Sequence, residues 1–389
     1  MSVRLVDQPE SFQALLAEVA GAGVVALDTE AASFHRYHDR IYLVQLSTPT
    51  LTAVIDPLGV GDLSPIGALL ADPTVEKIFH DADYDLRLFD KQYGYHARRL
   101  FDSRIAAQFL GEPGIGLAAL LEKYFSVQAD KRFQRADWSA RPLSPPMLEY
   151  AAGDTANLCE LRNILRNQLV EKGRWSWVEE EFVLLERTRW TGAPHDDPSA
   201  SYLRLKGAKA LDRRSLALLR EVYVWRETTS AKLDRAAFRV VGNEVLFQLA
   251  QQPVRTLEEL GRVKGIGRDT LERRGSDILA AIERGLAIPD KDLPRVERGP
   301  RRVPDLELEA RLEALKRARN SQADRFQLQP GVLCPNGTLE AIATAVPENL
   351  EQLAGVAEVR AWQVREFGDL LLTAMRSAVV TARESGTVS

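Results

Sequence analysis

Four carboxylates and one phenol are spaced so that they could serve phosphoryl chemistry. In "VVALDTEA" (24–31) an apolar run ends in Asp28 and Glu30. Side chains alternate along a strand, so these two acids point the same way. Like charges that close repel, and the arrangement is tolerable only if solvent, a proton or a cation neutralises it. Asp85, in "HDADYDLRLF" (80–89), follows a strand-like segment and opens an amphipathic helix with Leu86 and Phe89 toward the core. Tyr150 and Asp154, in "YAAGDT" (150–155), are four apart and share one helix face, with Asp154 mid-helix, where propensity disfavours aspartate. Should Asp28, Glu30, Asp85 and Asp154 converge over the end of a sheet, they would make a two-metal site. Mg²⁺ and Mn²⁺ are hard cations that take such oxygen ligands. Two of them ~3.5–4 Å apart stabilise the attacking and leaving oxygens on phosphorus, so phosphodiester hydrolysis is the natural reaction. Tyr150 would sit near the attacking water, to orient it or to share its proton.

The rest of the chain must position these groups. At 389 residues it is long enough for two or three domains. It is 45% hydrophobic and 27% charged, the composition of a soluble globular protein, and no apolar run reaches the ~20 residues of a membrane span. The N-terminal "MSVRLVDQPESF" has no secretory pattern, so a cytoplasmic location is the expectation. Cys159 and Cys334 lack CxxC partners, which argues against a disulfide scaffold or thiolate zinc site and for two small buried side chains. Net charge is −4, yet residues 210–288 carry 14 Lys and Arg against 11 Asp and Glu, so the basic charge lies away from the acidic front.

Strand signals at 24–31, 41–48, 51–57 and 75–81, with a helical pattern at 62–73, imply a mixed sheet with helical cover. Helical periodicity then dominates until an Arg-rich interval, 126–146, whose Pro145-Pro146 pair starts one long helix after Ser144 as cap. This spacing predicts an α/β unit over 1–190, a linker at 191–209, and a helical unit at 210–288. A second linker at 289–305, a further helical unit at 306–382 and a tail at 383–389 follow. The two helical units read as divergent copies: Leu257/Leu350, Leu260/Leu353, Gly275/Gly368 and Ile278/Leu371 match at a constant offset.

"LDTE", "HDADYDLRLF" and "YAAGDT", in that order, resemble the three motifs of the DEDD exonuclease superfamily, in its tyrosine subgroup. "DWSARPLSPPMLEYAAGDT" (137–155) is especially close to the ribonuclease D pattern, and 211–288, with "VKGIGRDTLERRG", resembles an HRDC domain. The segment 306–382 looks like a diverged second HRDC copy that reads "VAEVRA" at the Gly-Ile-Gly turn. The resemblance implies a ribonuclease-H-like mixed sheet with helical cover, followed by two small all-α HRDC-like domains. It also implies two divalent metal ions and 3′-to-5′ hydrolysis of RNA to nucleoside monophosphates. By motif position, Asp28, Glu30, Asp85 and Asp154 would be ligands and Tyr150 the water-positioning residue.

Substrate-contact candidates are Gln45 in "IYLVQLST" and the basic loop with Lys131, Arg132, Phe133 and Arg135, which otherwise reads as a solvated connector. Lys264, Gly265, Gly267 and Arg268 form a turn suited to a phosphate, although a tight inter-helix turn needs its glycines regardless. His80 reads as a hydrogen-bonded strand-end residue and Trp138 as a packing anchor. The expected partner is RNA, with tRNA precursors as substrates, and no membrane or obligate protein partner. A DNA exonuclease of the same superfamily, or a non-catalytic nucleic-acid scaffold, remains the alternative.

Overall fold

The structure is a computed structural model that describes residues 3–128, 130–192, 198–296 and 305–384. The expected linkers 191–209 and 289–305 and the tail 383–389 therefore lie partly outside the described residues. Among the described residues, no helix is long and apolar enough to cross a membrane.

Among the described residues, six strands form one mixed sheet: β1 (Arg4–Val6), β2 (Val24–Ala31), β3 (Ile41–Ser47), β4 (Thr52–Ile55), β5 (Glu76–Phe79) and β6 (Leu100–Asp102). Their order is β1-β4-β3-β2-β5-β6, with β2, β3 and β4 antiparallel in sequence and β5 and β6 parallel to β2. Pairing β5 parallel to β2 brings their carboxyl ends together, and Ala26 lies beside Ile78 in register. The chain leaving β5 thus starts its helix next to the acids that end β2.

Among the described residues, nine helices accompany this sheet: α1 (Pro9–Val19), α2 (Pro57–Val60), α3 (Ser64–Ala71), α4 (Asp83–Tyr93), α5 (Ser103–Leu110), α6 (Leu117–Phe125), α7 (Pro145–Ala156), α8 (Leu158–Glu171) and α9 (Trp175–Leu185). Strand alternation sorts the faces. Val25, Leu27, Val44 and Leu46 enter one core with Phe12, Ile66 and Phe89, whereas Leu43 and Val54 pack beneath Ala151 and Ala152 of α7. Asp28 and Glu30 have the parity of Ala26, which places them on the α7–α8 side.

One expectation needs correction. The long helix expected after Pro145-Pro146 is two helices, broken at Asn157 (φ −105°, ψ 0°), and the Ser144 side chain makes no cap bond. Asp154 accordingly occupies the last turn of α7 rather than the middle of a helix.

The helical copies are α10 (Pro198–Ser201), α11 (Arg213–Leu233), α12 (Ala237–Val240), α13 (Asn243–Gln251), α14 (Leu257–Gly261) and α15 (Arg268–Ala287), then α16 (Leu306–Phe326), α17 (Pro330–Leu333), α18 (Asn336–Ala345), α19 (Leu350–Ala354) and α20 (Ala361–Glu384). The internal repeat is physical. A Cβ on Gly275 would lie 2.6 Å from Leu257 Cδ2, and one on Gly368 would lie 2.8 Å from Leu350 Cδ2, so each glycine admits the same close helix crossing. A buried arginine ties each copy in the same way. Arg226 Nη1 donates to the Val241 carbonyl and to Asn243 Oδ1 (2.6 Å), and Arg319 Nη1 donates to the Cys334 carbonyl and to Asn336 Oδ1 (2.8 Å).

The copies dock differently. The first has its own core around Leu219, Leu246 and Ile278, while the second shares one core with α5, α8 and α9. There Trp362 stacks on Trp177 at 4.6 Å, and Phe109 meets its edge. Glu180 accepts hydrogen bonds from the Ala361 and Trp362 amides, which caps α20 from outside its own unit, and Glu181 grips Arg360 at 2.9 and 3.2 Å.

Trp362→Ala should therefore destabilise the sheet-bearing unit itself, by about 3–5 kcal/mol, since it removes a fully buried indole from a shared core. Heat inactivation measured on a dinucleotide should shift to lower temperature for Trp362→Ala, and stay near wild type for Leu246→Ala in the separate core. Equal shifts would contradict the shared core.

Candidate active site

Each acid arrives on a different device. Asp28 and Glu30 end β2, half-buried on the face that α7 covers. Asp85 lies in the first turn of α4, only 5% exposed. It is held there by Thr29, which lies between the two β2 acids and whose hydroxyl donates to Asp85 Oδ1. Leu86 and Phe89 are buried beneath it, as the helix pattern requires. The turn before α4 is itself pinned, since Asp102 accepts from the Ala82 amide at 2.8 Å and from the Arg104 and Ile105 amides. His80 Nδ1 meets Ser103 Oγ at 2.9 Å, and burial lowers its pKa to about 4, so it is a neutral strand-end hydrogen-bonding residue.

Asp154 and Tyr150 come from α7, whose hold on the sheet is visible in the Ser47–Thr155 hydroxyl contact of 2.7 Å. The loop before α7 is braced by Arg141. Its guanidinium forks onto Asp56 at 2.6 and 2.9 Å and also donates to the carbonyls of Trp138 and Tyr42. That brace seats Trp138, which is fully buried, and Trp138 and Phe133 meet the Tyr150 ring with centroids at 5.9 and 5.8 Å.

The electrostatics show that the acids have converged. Burial raises the pKa of Asp28 well above the ordinary carboxylate range, and Asp85, Asp154 and Glu30 push it further. Burial also raises Glu30, aided by Asp154 and Asp85. Asp85 is raised to about 7 by burial, against the opposing hydrogen bond from Thr29, and Asp154 to about 7 by burial. Tyr150 is raised by burial and by the Asp154, Glu30 and Asp28 carboxylates, which keeps its proton in place.

Among the described residues, no preformed cage of three such side chains is closed around one point. The donor set is nevertheless all hard oxygen, and its mutual repulsion is what divalent cations would relieve. Gln45, opposite Asp28 in the β2–β3 register, is fully buried with both amide atoms unpartnered. An orphaned buried amide beside the acids is a further polar group for an occupant to satisfy. The residues present fit divalent cations.

Other expected contacts divide. Gln45 is fully buried in β3 opposite Asp28, with no hydrogen-bond partner for its amide. Lys131 and Arg135 are exposed, Arg132 pairs with Asp130 at 2.6 Å, and Phe133 turns half-buried toward Tyr150. Lys264 and Arg268 are exposed at the turn, with Arg268 paired to Glu272 at 2.7 Å. Gly265 has φ +98° there, as the turn demands, and Gly267 precedes α15 without a side-chain cap. Thr29 and Arg141 went unread in the sequence. Thr29 alone had a signal, its opposite parity inside "DTE".

The 3′-5′ exonuclease family profile matches residues 3–170, and the HRDC domain profile matches residues 215–282 and 309–375. Ribonuclease D of Granulibacter bethesdensis is 32% identical over 374 residues, covering 94% of this chain and 91% of that relative. The chain belongs to the ribonuclease D family. It is thus a 3′-to-5′ exoribonuclease of the DEDD superfamily, whose members generally use divalent metals. The crystal structure of Escherichia coli RNase D, described as an exoribonuclease involved in structured RNA processing, is similar with a TM-score of 0.69 at 26% identity. That match covers 97% of this chain and 99% of the other. The catalytic core of RRP6 from Trypanosoma brucei is similar with a TM-score of 0.66 at 26% identity, over 73% of this chain and 80% of that one.

For this ribonuclease D family member, the raised acids make a signed pH prediction. Asp85 and Asp154 titrate near 7 when folded and near ~3.9 when unfolded, so the folded state keeps protons that the unfolded state releases. Their contribution to stability is fully present below about pH 4 and is lost as pH rises through about 7. In EDTA, the unfolding midpoint of wild type minus that of Asp154→Asn should fall between pH 5 and pH 8. Mg²⁺ or Mn²⁺ should raise the wild-type midpoint more at pH 8 than at pH 6. A difference that rises with pH, or a midpoint indifferent to cation at pH 8, would contradict the clustered acids.

Proposed function

We propose that this chain removes nucleoside 5′-monophosphates one at a time from the 3′ ends of structured RNA, tRNA precursors among them. In this reading Asp28, Glu30, Asp85 and Asp154 hold two divalent cations, Mg²⁺ or Mn²⁺, and Tyr150 orients the attacking water. The reading divides the chain at the expected boundaries, with 1–190 as the nuclease unit and the HRDC-like units gripping RNA beside it. The observation that carries it is the convergence of four carboxylates from three chain segments, with a proton-bearing tyrosine one turn before the last of them.

Cations bound by these oxygens would neutralise charge developing on phosphorus and on the leaving 3′ oxygen. The chain's own groups do the positioning. Thr29 and the Asp102-pinned turn hold Asp85, so its carboxylate faces β2 without further reorganisation. Tyr150 packs its ring against Trp138 and Phe133, and its half-buried hydroxyl retains its proton, which suits it to orient water by hydrogen bonding rather than to act as a base. E. coli RNase D is described as acting in structured RNA processing, and this supports RNA over DNA as substrate.

Matched 3′-labelled RNA and DNA, incubated with Mg²⁺ or Mn²⁺, test the reading. Mononucleotides should appear from RNA and be abolished by EDTA. Asp28→Asn should remove most of that release, and Tyr150→Phe should lower its rate by ~10²–10⁴ with cation affinity preserved. Preferential release from DNA would favour the DNA exonuclease, and no release at all would favour the scaffold.

A further inference from the structure

Two exposed phenylalanines meet across the junction between the nuclease unit and the first helical unit. Phe34, in the turn after β2, is 39% exposed, and Phe238, in α12, is 50% exposed. Their ring centroids are 5.0 Å apart and tilted by 58°. Arg239 lies over both rings, at 5.3 Å from Phe34 and 5.9 Å from Phe238, and Arg135, from the loop before α7, lies 5.4 Å from Phe34.

Packing alone would bury such rings, whereas these remain open. A guanidinium over a phenyl ring keeps in-plane N–H groups free for an anion. Among the described residues, neither Arg135 nor Arg239 forms an ion pair, although Arg239 Nε donates to the Phe34 carbonyl at 2.7 Å. The neighbouring acids are engaged elsewhere, Asp137 with His35 and Arg36, and Asp234 with the His38 amide. Lys131 and Arg235, four residues before Arg135 and Arg239 in sequence, are exposed cations as well. The cluster is continuous with the active site as well. Arg135 is two residues from Phe133, whose ring meets Tyr150, and the Arg135 carbonyl meets His35 Nε2 at 2.9 Å.

We propose that Phe34, Arg135, Phe238 and Arg239 form a composite binding step for single-stranded RNA, taking nucleotides upstream of the 3′ residue being hydrolysed. Bases stack on the open ring faces and phosphates meet the two guanidinium groups. The unpaired cations and the continuity with Tyr150 favour RNA over a protein partner, whose docking would call for an apolar face. This inference rests on the exoribonuclease reading of the same chain.

The test is made on the full chain in EDTA, with fluorescence anisotropy of a labelled 12-nucleotide single-stranded RNA. The double variant F34L/F238L keeps an apolar junction and removes the flat rings. It should raise Kd by about 5- to 100-fold, and F34Y/F238Y should restore most of the affinity. R135Q, whose side chain bridges no helical unit, should lower the slope of log K against log salt by about 0.7 in magnitude, as one lost phosphate contact would. With Mn²⁺, F34L/F238L should lower kcat/KM for the 12-mer at least ten times more than for a dinucleotide, too short to reach the step. Unchanged Kd in F34L/F238L and unchanged slope in R135Q, with a wild type that hydrolyses RNA, would overturn the composite step alone and leave the face to a protein. Equal losses on both substrates would also overturn it. A wild type that hydrolyses neither RNA would instead overturn the exoribonuclease reading.

Discussion

Repulsion among four carboxylates is the constraint on which the rest of the structure bears. Asp28, Glu30, Asp85 and Asp154 are each held where ionisation is costly, and the charges of Asp85 and Asp154 act on both Asp28 and Glu30. Left to itself such a cluster would splay apart. The parallel β2–β5 pairing, the Thr29 hydroxyl on Asp85, and an α7 seated on the sheet through Thr155 prevent it. Site geometry is therefore stored in ordinary packing, and the cluster's strain is what a divalent cation would release.

The two helical units show one repeat put to two uses. Both keep the glycine crossing and the buried arginine that make the fold, at equivalent positions. In the first, the Gly265–Gly267 turn before α15 faces solvent. In the second, Glu358 and Arg360 stand at those positions, and the start of α20 is capped by Glu180 while Arg360 is held by Glu181. The divergence of "VAEVRA" has a structural reason: that turn became a contact with α9, and its unit became part of the nuclease core.

Much of the site was legible because it depends on local periodicity. The parity of Asp28 and Glu30, the entry of Asp85 into a helix over Leu86 and Phe89, and the four-residue spacing of Tyr150 and Asp154 are all short-range facts. What was not legible depends on partners distant in sequence. Strands β1 and β6, three residues each, exist only by pairing with β4 and β5. The break at Asn157 has no proline or glycine to announce it, since it follows from fitting α7 and α8 to different parts of the sheet. The full burial of Gln45 in β3 likewise depends on elements distant in sequence, which "IYLVQLST" does not announce. The Phe34–Phe238 contact joins residues more than two hundred positions apart, and each alone reads as an unremarkable aromatic.

The central claim is that the scaffold holds these acids in repulsion for two cations to occupy. Anomalous diffraction from crystals grown with Mn²⁺ tests it most directly. The account predicts two peaks ~3.5–4 Å apart, bounded by Asp28, Glu30, Asp85 and Asp154, and the loss of at least one in Asp154→Asn crystals. No peak among these four side chains, or Mn²⁺ bound only elsewhere, would contradict it.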